Sequence, residues 1–210
     1  MQPHRVAVLA FDRISPFHLS VPCLVFGESL PGECNYQLVV CAAEPGRLTT
    51  TAGFELHVEQ GLEALLDAQT IIVPSWHNPD QHPSQALLDA LVAAHERGAH
   101  LVGLCLGAFV LAEAGLLDGR PATTHWAWAR VFAERFPAVR LDSDVLYVDD
   151  DNLLTSAGTA AGIDCCLYLL RQHCGAKVAN KVARRLVVPP HRQGGQAQFI
   201  EQPLPATARD

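Results

Sequence analysis

The sequence predicts an α/β fold in which a parallel β-sheet lies between two layers of helices. Unbroken apolar runs of strand length alternate along the chain with longer segments of helical periodicity. Strands buried on both faces read as continuous apolar runs, and parallel strands need crossover helices between them. With 210 residues, 49% of them apolar, the chain can bury a core of its own. The pattern is typical of flavodoxin-like sheets, which hold ligands at the carboxyl ends of their strands.

Each predicted element has a local signal. Apolar runs predict the strands, and helical spacing such as that of Leu87 and Leu91, with Gly98 as a stop, predicts the helices. Ser156 and Thr159 are available as caps for the last helix. In chain order, we expect a strand at 6–11, a helix at 17–29, strands at 36–43 and 70–74, a helix at 84–98, a strand at 100–105, a helix at 106–115, strands at 145–150 and 152–157 joined by a tight turn, and a helix at 160–173.

The composition changes near residue 189. Residues 1–188 carry the α/β pattern, whereas residues 189–210 contain several prolines and glycines and few apolar anchors. We therefore expect residues 189–210 to be a linker or tail.

Charge and cysteine usage exclude several classes of protein. A formal net charge of -7 disfavours non-specific binding of nucleic acid. No apolar run reaches the length of a membrane span, and the amino terminus has no signal-peptide pattern. The seven cysteines are odd in number and none has CxxC spacing, which signals neither a disulfide framework nor a zinc site. We expect a cytoplasmic protein that uses no cofactor and no metal.

The stretch from Gly103 to Gly107, with Cys105 at its centre, joins a predicted strand to a predicted helix. It fits the G-x-S-x-G nucleophile elbow with cysteine in place of serine, a turn so sharp that side chains at the glycine positions would collide with their surroundings. The start of the helix should direct free N–H groups at the sulfur, lower the pKa of the thiol and favour the thiolate. The alternative is a buried structural cysteine.

Two histidines are candidate acid–base partners of Cys105, because an activated nucleophile needs such a group at a neighbouring strand end. His125 follows a short strand-like stretch, and His18 lies with Asp12 in the segment after the first strand. A surface or packing role for His125 stays open as the alternative.

The loop at 74–83 follows another predicted strand. Backbone amides near Ser75 and Trp76 are suited to an oxyanion or anion hole. His77, Asp80 and His82 come next, but their proline-rich spacing and the lack of further ligands make a metal site the weaker interpretation.

Several stretches together resemble the ThiJ/PfpI superfamily, whose domain is similar to class I glutamine amidotransferases. They are VAVLAFDRISPFHLSVPCLVFG at 6–27, IIVPSW at 71–76, LVGLCLGAFVLAEAGLLDGRPATTHW at 101–126 and LLTSAGTAAGIDCCLYLL at 153–170. The closer resemblance is to the amino-terminal sensor domain of AraC-type transcriptional regulators, in which the segment ARRLVVPPHRQGGQAQFI at 183–200 leads to a DNA-binding domain.

The resemblance implies a homodimer that binds a small metabolite and reaches DNA only through a carboxy-terminal helix-turn-helix domain outside this chain. Enzymes of the superfamily carry a carboxylate near the elbow cysteine, and here that position is His18, which would act as a base or as the cationic partner of a thiolate. The expected ligand site consists of Cys105, Leu106, Ser75, Trp76, His18, His125 and Trp126.

Three functions stay open on this sequence. The first is an effector-sensing and dimerising domain of an AraC-type regulator. The second is a cysteine enzyme, isonitrile hydratase-like or amidase-like, in which Cys105, His125 and His18 are catalytic. The third is a protein in which oxidation of Cys105 is the signal.

Overall fold

The computed structural model describes residues 3–27, 34–192, 194–196 and 199. The elements in chain order are β1 (His4–Ala10), α1 (Pro16–Phe26), β2 (Tyr36–Ala42), β3 (Gly46–Thr49), β4 (Glu55–Val58), β5 (Thr70–Val73), α2 (Gln85–Glu96), β6 (His100–Leu104), α3 (Gly107–Glu113), β7 (Pro121–Ala122), α4 (Ala129–Arg135), β8 (Arg140–Leu141), β9 (Tyr147–Asp150), β10 (Leu153–Ser156) and α5 (Ala160–Arg185). Short 3-10 turns lie at Leu62–Leu65 and Trp126–Trp128.

Six strands form the central sheet, in the order β2-β1-β5-β6-β10-β9. The first five of these pair in parallel, which confirms the predicted α/β architecture. β9 instead runs antiparallel to β10 at the edge of the sheet, and the tight turn predicted between these two strands is confirmed. The connection through Asp151 and Asn152 is too short for the crossover that a parallel pair requires. Asp151 takes a left-handed φ of 64° to turn the chain.

Helices cover both faces of the sheet. Alternate residues of β1 point to opposite faces: Ala7 and Leu9 pack with buried residues of α2 and α3, whereas Val6 and Val8 pack with buried residues of α1 and α5. This double coverage is the reason the strands read as unbroken apolar runs.

The helix predicted at 160–173 is the first part of α5, which continues beyond the prediction as a second helical segment to Arg185. Its backbone breaks at Gly175, where φ is 82°, and the turns after the break bury Val178 and Val182 in the cluster shared with α1. Thr159 precedes this helix, but its side chain makes no capping hydrogen bond, so that predicted cap is wrong. The sequence did not predict β3, β4 or β8, whereas β7 lies in the short strand-like stretch predicted before His125.

One pair of cysteines contradicts the expectation that no disulfide forms. Cys34 lies just before β2 and Cys174 lies on α5, and their Cα atoms are 6.2 Å apart in a disulfide that spans 140 residues of sequence. Only the tertiary fold creates this contact, so no sequence spacing announces it. The free thiols are Cys23, Cys41, Cys105, Cys165 and Cys166. Across the described part of the chain, no helix combines the length and the apolarity needed to cross a membrane.

Candidate functional site

Cys105 lies at the carboxyl edge of the sheet, between the end of β6 and the start of α3, and its φ is 53°. A Cβ atom added at Gly107 would lie 2.1 Å from the carbonyl oxygen of Val73, and one at Gly103 would lie 3.0 Å from the nitrogen of Ala108. Both glycines are therefore required by close backbone approach, as the sequence predicts. A left-handed cysteine is a strained residue, and such strain persists only where the surrounding structure holds it.

Three neighbours fix the backbone of Cys105. Its N–H donates to the carbonyl of Ser156 at 2.9 Å. Its own carbonyl accepts a hydrogen bond from the hydroxyl of Thr124 at 2.9 Å. Gly158 packs so closely that a Cβ atom there would lie 2.1 Å from the Cβ of Cys105. Residues from β10, from the loop after it and from the segment after β7 therefore hold the cysteine in place.

The thiol of Cys105 is almost fully enclosed, with 7% of the residue exposed. Burial raises the pKa of the thiol to about 11, although hydrogen bonds from the Leu106 N–H and the Ser75 side chain act in the opposite direction. The expectation of a lowered pKa is therefore wrong, because loss of water around the sulfur outweighs the N–H groups at the start of α3. At neutral pH, Cys105 is a protonated thiol.

His18 and His125 lie close enough together for the charge of His125 to lower the pKa of His18. Burial is the larger cause for His18, and it also lowers the pKa of His125, so both imidazoles are neutral at pH 7. Both ring nitrogens of His18 are buried without a hydrogen-bond partner among the described residues. With a protonated thiol and a neutral imidazole, the expected thiolate–imidazolium pair is not formed.

A cavity of about 190 Å³ is lined in part by His125. Gly158, which packs on Cys105, lines it together with His125 and Trp126. Its remaining lining residues, mostly apolar, are Leu146, Ala157, Thr159, Ala160, Ala161, Arg192, Gln196 and Phe199. We call this space the Gly158 cavity.

Trp76 lines a different space, although the sequence grouped it with Trp126. This second cleft, of about 370 Å³, lies where β1, β2 and β5 end, and Trp76 forms its aromatic wall with Phe11 and His77 at ring-centroid distances of 5.0 and 4.9 Å. Asp12 also lines the second cleft, and it accepts hydrogen bonds from the backbone N–H and the hydroxyl of Thr49. These hydrogen bonds lower the pKa of Asp12.

The histidines of the 74–83 loop do not form a metal centre in the described structure. His82 contacts Glu113 at 2.7 Å and Arg135 at 2.8 Å. Over the ranges that the structure describes, no three His, Cys, Asp or Glu side chains converge in a way that would hold a metal ion.

The architecture and the motifs point to one family. A sequence profile of the DJ-1/PfpI family matches residues 4–172. The chain belongs to the DJ-1/PfpI family.

Relatives of this DJ-1/PfpI chain include regulators and an enzyme. The HTH-type transcriptional regulator CdhR of Pseudomonas aeruginosa is 33% identical over 153 residues, which are 73% of this chain but only 45% of CdhR. The isonitrile hydratase of Pseudomonas putida is 30% identical over 188 residues, which are 89% of this chain and 79% of that enzyme. The crystal structure of an AraC family transcriptional regulator from Pseudomonas putida has the same fold, with a TM-score of 0.76 at 24% identity over 88% of this chain and 100% of that chain.

Sequence reasoning missed three residues of this DJ-1/PfpI site. Gly158 has a φ of 71°, and a glycine directly after a strand was the available signal. Thr124 stands directly before His125 and carries no pattern that would single it out. Gln196, in the segment predicted to be a linker, is 3% exposed and lines the Gly158 cavity. Only the fold brings it there.

Proposed function

We propose that this chain is the effector-sensing part of an AraC-type transcriptional regulator and that it binds a small molecule in the Gly158 cavity, beside Cys105. The buried, protonated thiol of Cys105 carries the proposal. A thiol is a poor nucleophile compared with a thiolate, so this site is better suited to holding a molecule than to attacking one.

The surroundings of Cys105 support binding without turnover. The left-handed backbone of Cys105, between a strand and a helix, supports the interpretation of residues 103–107 as a nucleophile elbow. At the position where superfamily enzymes carry a carboxylate, the chain has the neutral His18. His125 lines the Gly158 cavity and can orient a ligand there, whereas the Leu106 N–H and the Ser75 side chain act on the thiol of Cys105.

The comparison with CdhR supports the regulatory role, since that protein is a helix-turn-helix regulator of which this chain matches less than half. DNA would be contacted only by a carboxy-terminal domain outside the 210 residues. The net charge of -7 agrees with this, because a negatively charged domain is repelled by the phosphates of DNA. The same proposal includes a cytoplasmic location and a homodimer.

A thermal-shift screen tests the proposal. Amino acids, quaternary amines, amides and small acids are added to the protein, and each stabilising compound is recovered and analysed. A ligand at a hundredfold excess over its Kd should stabilise the fold by about 2.7 kcal/mol and be recovered unchanged. Cys105→Ala, at the residue on which the cavity-lining Gly158 packs, should weaken the shift, whereas Cys23→Ala, which removes a free thiol from α1, should not.

A cysteine enzyme is the second candidate, favoured by the match to isonitrile hydratase over 89% of this chain. In that case Cys105 would be the nucleophile, with His125 and His18 as acid–base groups. Conversion of isonitriles or amides at many turnovers per protein, lost in Cys105→Ala, would replace the sensor proposal with this one.

A further inference from the structure

The segment that follows α5 is anchored to the domain through one buried glutamine. The side chain of Gln196 accepts a hydrogen bond from the Trp126 N–H at 2.9 Å and donates to the Thr124 carbonyl at 2.9 Å and to the Thr123 hydroxyl at 3.3 Å. Its backbone N–H donates to the carbonyl of Asp144 at 2.7 Å. A polar side chain that is 3% exposed and bonded at both ends of its amide specifies one docked position.

Two further contacts hold the same segment. A Cβ atom added at Gly195 would lie 1.8 Å from the carbonyl oxygen of Asp144, so the chain passes there in van der Waals contact that only glycine allows. Arg192 pairs with the mostly buried carboxylate of Asp164 at 2.6 Å. We call the described residues Arg192 and Gly194 to Gln196 the strap.

The strap is connected to Cys105 through a single residue. Thr124 accepts the hydrogen bond from Gln196 at its carbonyl, and its hydroxyl donates to the carbonyl of Cys105 at 2.9 Å. Arg192 and Gln196 also line the Gly158 cavity, together with Gly158, which packs on Cys105. The strap is therefore both a wall of the cavity and a neighbour of the elbow.

We propose that the strap closes the Gly158 cavity and couples the occupancy of that cavity to the docking of Gln196 on Thr123 and Thr124. The role of this coupling in effector signalling rests on the proposed function, whereas the closure of the cavity by the strap does not depend on it. A group that occupies the cavity contacts the strap directly, and one that does not fit beside the docked strap displaces it. Because coupling between two sites is reciprocal, displacement of the strap should in turn open the cavity and free Thr124, which holds the backbone of Cys105, and so give solvent access to the thiol.

Alkylation of Cys105 by iodoacetamide under native conditions tests whether displacement of the strap exposes the thiol. Gln196→Ala removes the buried amide, and Gly195→Ala forces the segment away from Asp144. Both variants should label Cys105 roughly tenfold faster than the unaltered protein, the change expected when hydrogen bonds of one buried polar group are lost from a closing equilibrium. Gln85→Ala, which removes a glutamine from the exposed start of α2, is the matched control and should label at the original rate.

Labelling of Cys165 and Cys166, which are buried in α5, reports whether a variant has unfolded globally. If both stay unlabelled while Cys105 reacts faster, the strap controls access to the thiol. Equal rates of Cys105 labelling in the two strap variants and the unaltered protein would overturn the proposal.

The reverse test asks whether a group attached to Cys105 displaces the strap, and it is carried out on the unaltered strap sequence. Trypsin cleavage after Arg192 is compared before and after complete alkylation of Cys105, with Cys105→Ala treated identically as the control. Alkylation should accelerate cleavage in the protein that contains Cys105 and leave the control unchanged. Unaltered cleavage would contradict the coupling. Both experiments use a thiol reagent as the probe, so their outcome is independent of whether the effector screen succeeds.

Discussion

At the scale of single residues, Cys105 has a reactive-site backbone and an unreactive thiol. The left-handed turn and the paired glycines present the sulfur to the start of a helix, which the GLCLG stretch predicts. Gly158 and Thr124, from two other segments, pack on or bond to the backbone of Cys105, and burial of the thiol raises its pKa. The N–H of Leu106 in the local motif lowers the pKa of the thiol, whereas burial by the surrounding segments raises it, and the effect of burial is the larger.

The pH dependence of Cys105 alkylation follows from this balance. Only the thiolate reacts, and with a pKa of about 11 its fraction rises with pH throughout the neutral range. The rate should increase by about tenfold for each pH unit between roughly pH 7 and 9, with no plateau. A synthetic peptide of residues 101–111, whose thiol is exposed to water, should begin to level off near the ordinary pKa of cysteine. A plateau below neutral pH in the folded protein would instead indicate an activated, enzyme-like thiol.

At the scale of elements, the packing of α3 on β5 fixes the elbow. Because a Cβ atom at position 107 would meet the backbone of Val73 at 2.1 Å, even alanine should force the helix away from the sheet. We expect Gly107→Ala to lower the free energy of unfolding by about 1–3 kcal/mol or more, and Gly107→Val to lower it further.

Gly162 supplies the matched control for that substitution. It lies in the first turns of α5, and a Cβ atom there would meet only side-chain atoms of Leu104 and Val21 at 3.6 and 3.7 Å, which is ordinary contact. Gly162→Ala should be neutral or should stabilise the helix by up to ~1 kcal/mol. Thermal unfolding of the purified variants measures both effects, and an unchanged melting temperature for Gly107→Ala would show that α3 does not pack this closely.

At the scale of the whole molecule, α1 presents two exposed apolar side chains on one face. Phe17 is 45% and Leu24 is 42% exposed, and a separation of seven residues places them two helical turns apart on the same side. Apolar groups arranged in this way mark a surface that another protein covers. Because the proposed function includes a homodimer, we predict that a second copy of this chain covers this face.

Light scattering at micromolar concentration should therefore give the mass of a homodimer. Replacing Phe17 and Leu24 together by serine should shift the protein toward the monomer, because the apolar surface that drives association is lost. Leu66→Ser, at a residue that is 67% exposed in a separate loop, is the control and should leave the dimer intact. A monomeric mass for the unaltered chain would contradict the prediction.

Sequence alone determined the layers of this protein and the position of the strand-to-helix turn at Cys105. Apolar runs such as 70–74 and 100–105 and the helical spacing at 84–98 depend on residues that are near one another in the chain, so periodicity reveals them. The tertiary structure decided what depends on residues far apart: the Cys34–Cys174 disulfide, the placing of Trp76 and Trp126 in different cavities, and the burial that keeps Cys105 protonated. It also decided that Gln196, in a segment without an apolar pattern, closes the site through hydrogen bonds to Thr123 and Thr124. Such bonds are set by geometry across the fold and leave no periodic trace in the sequence.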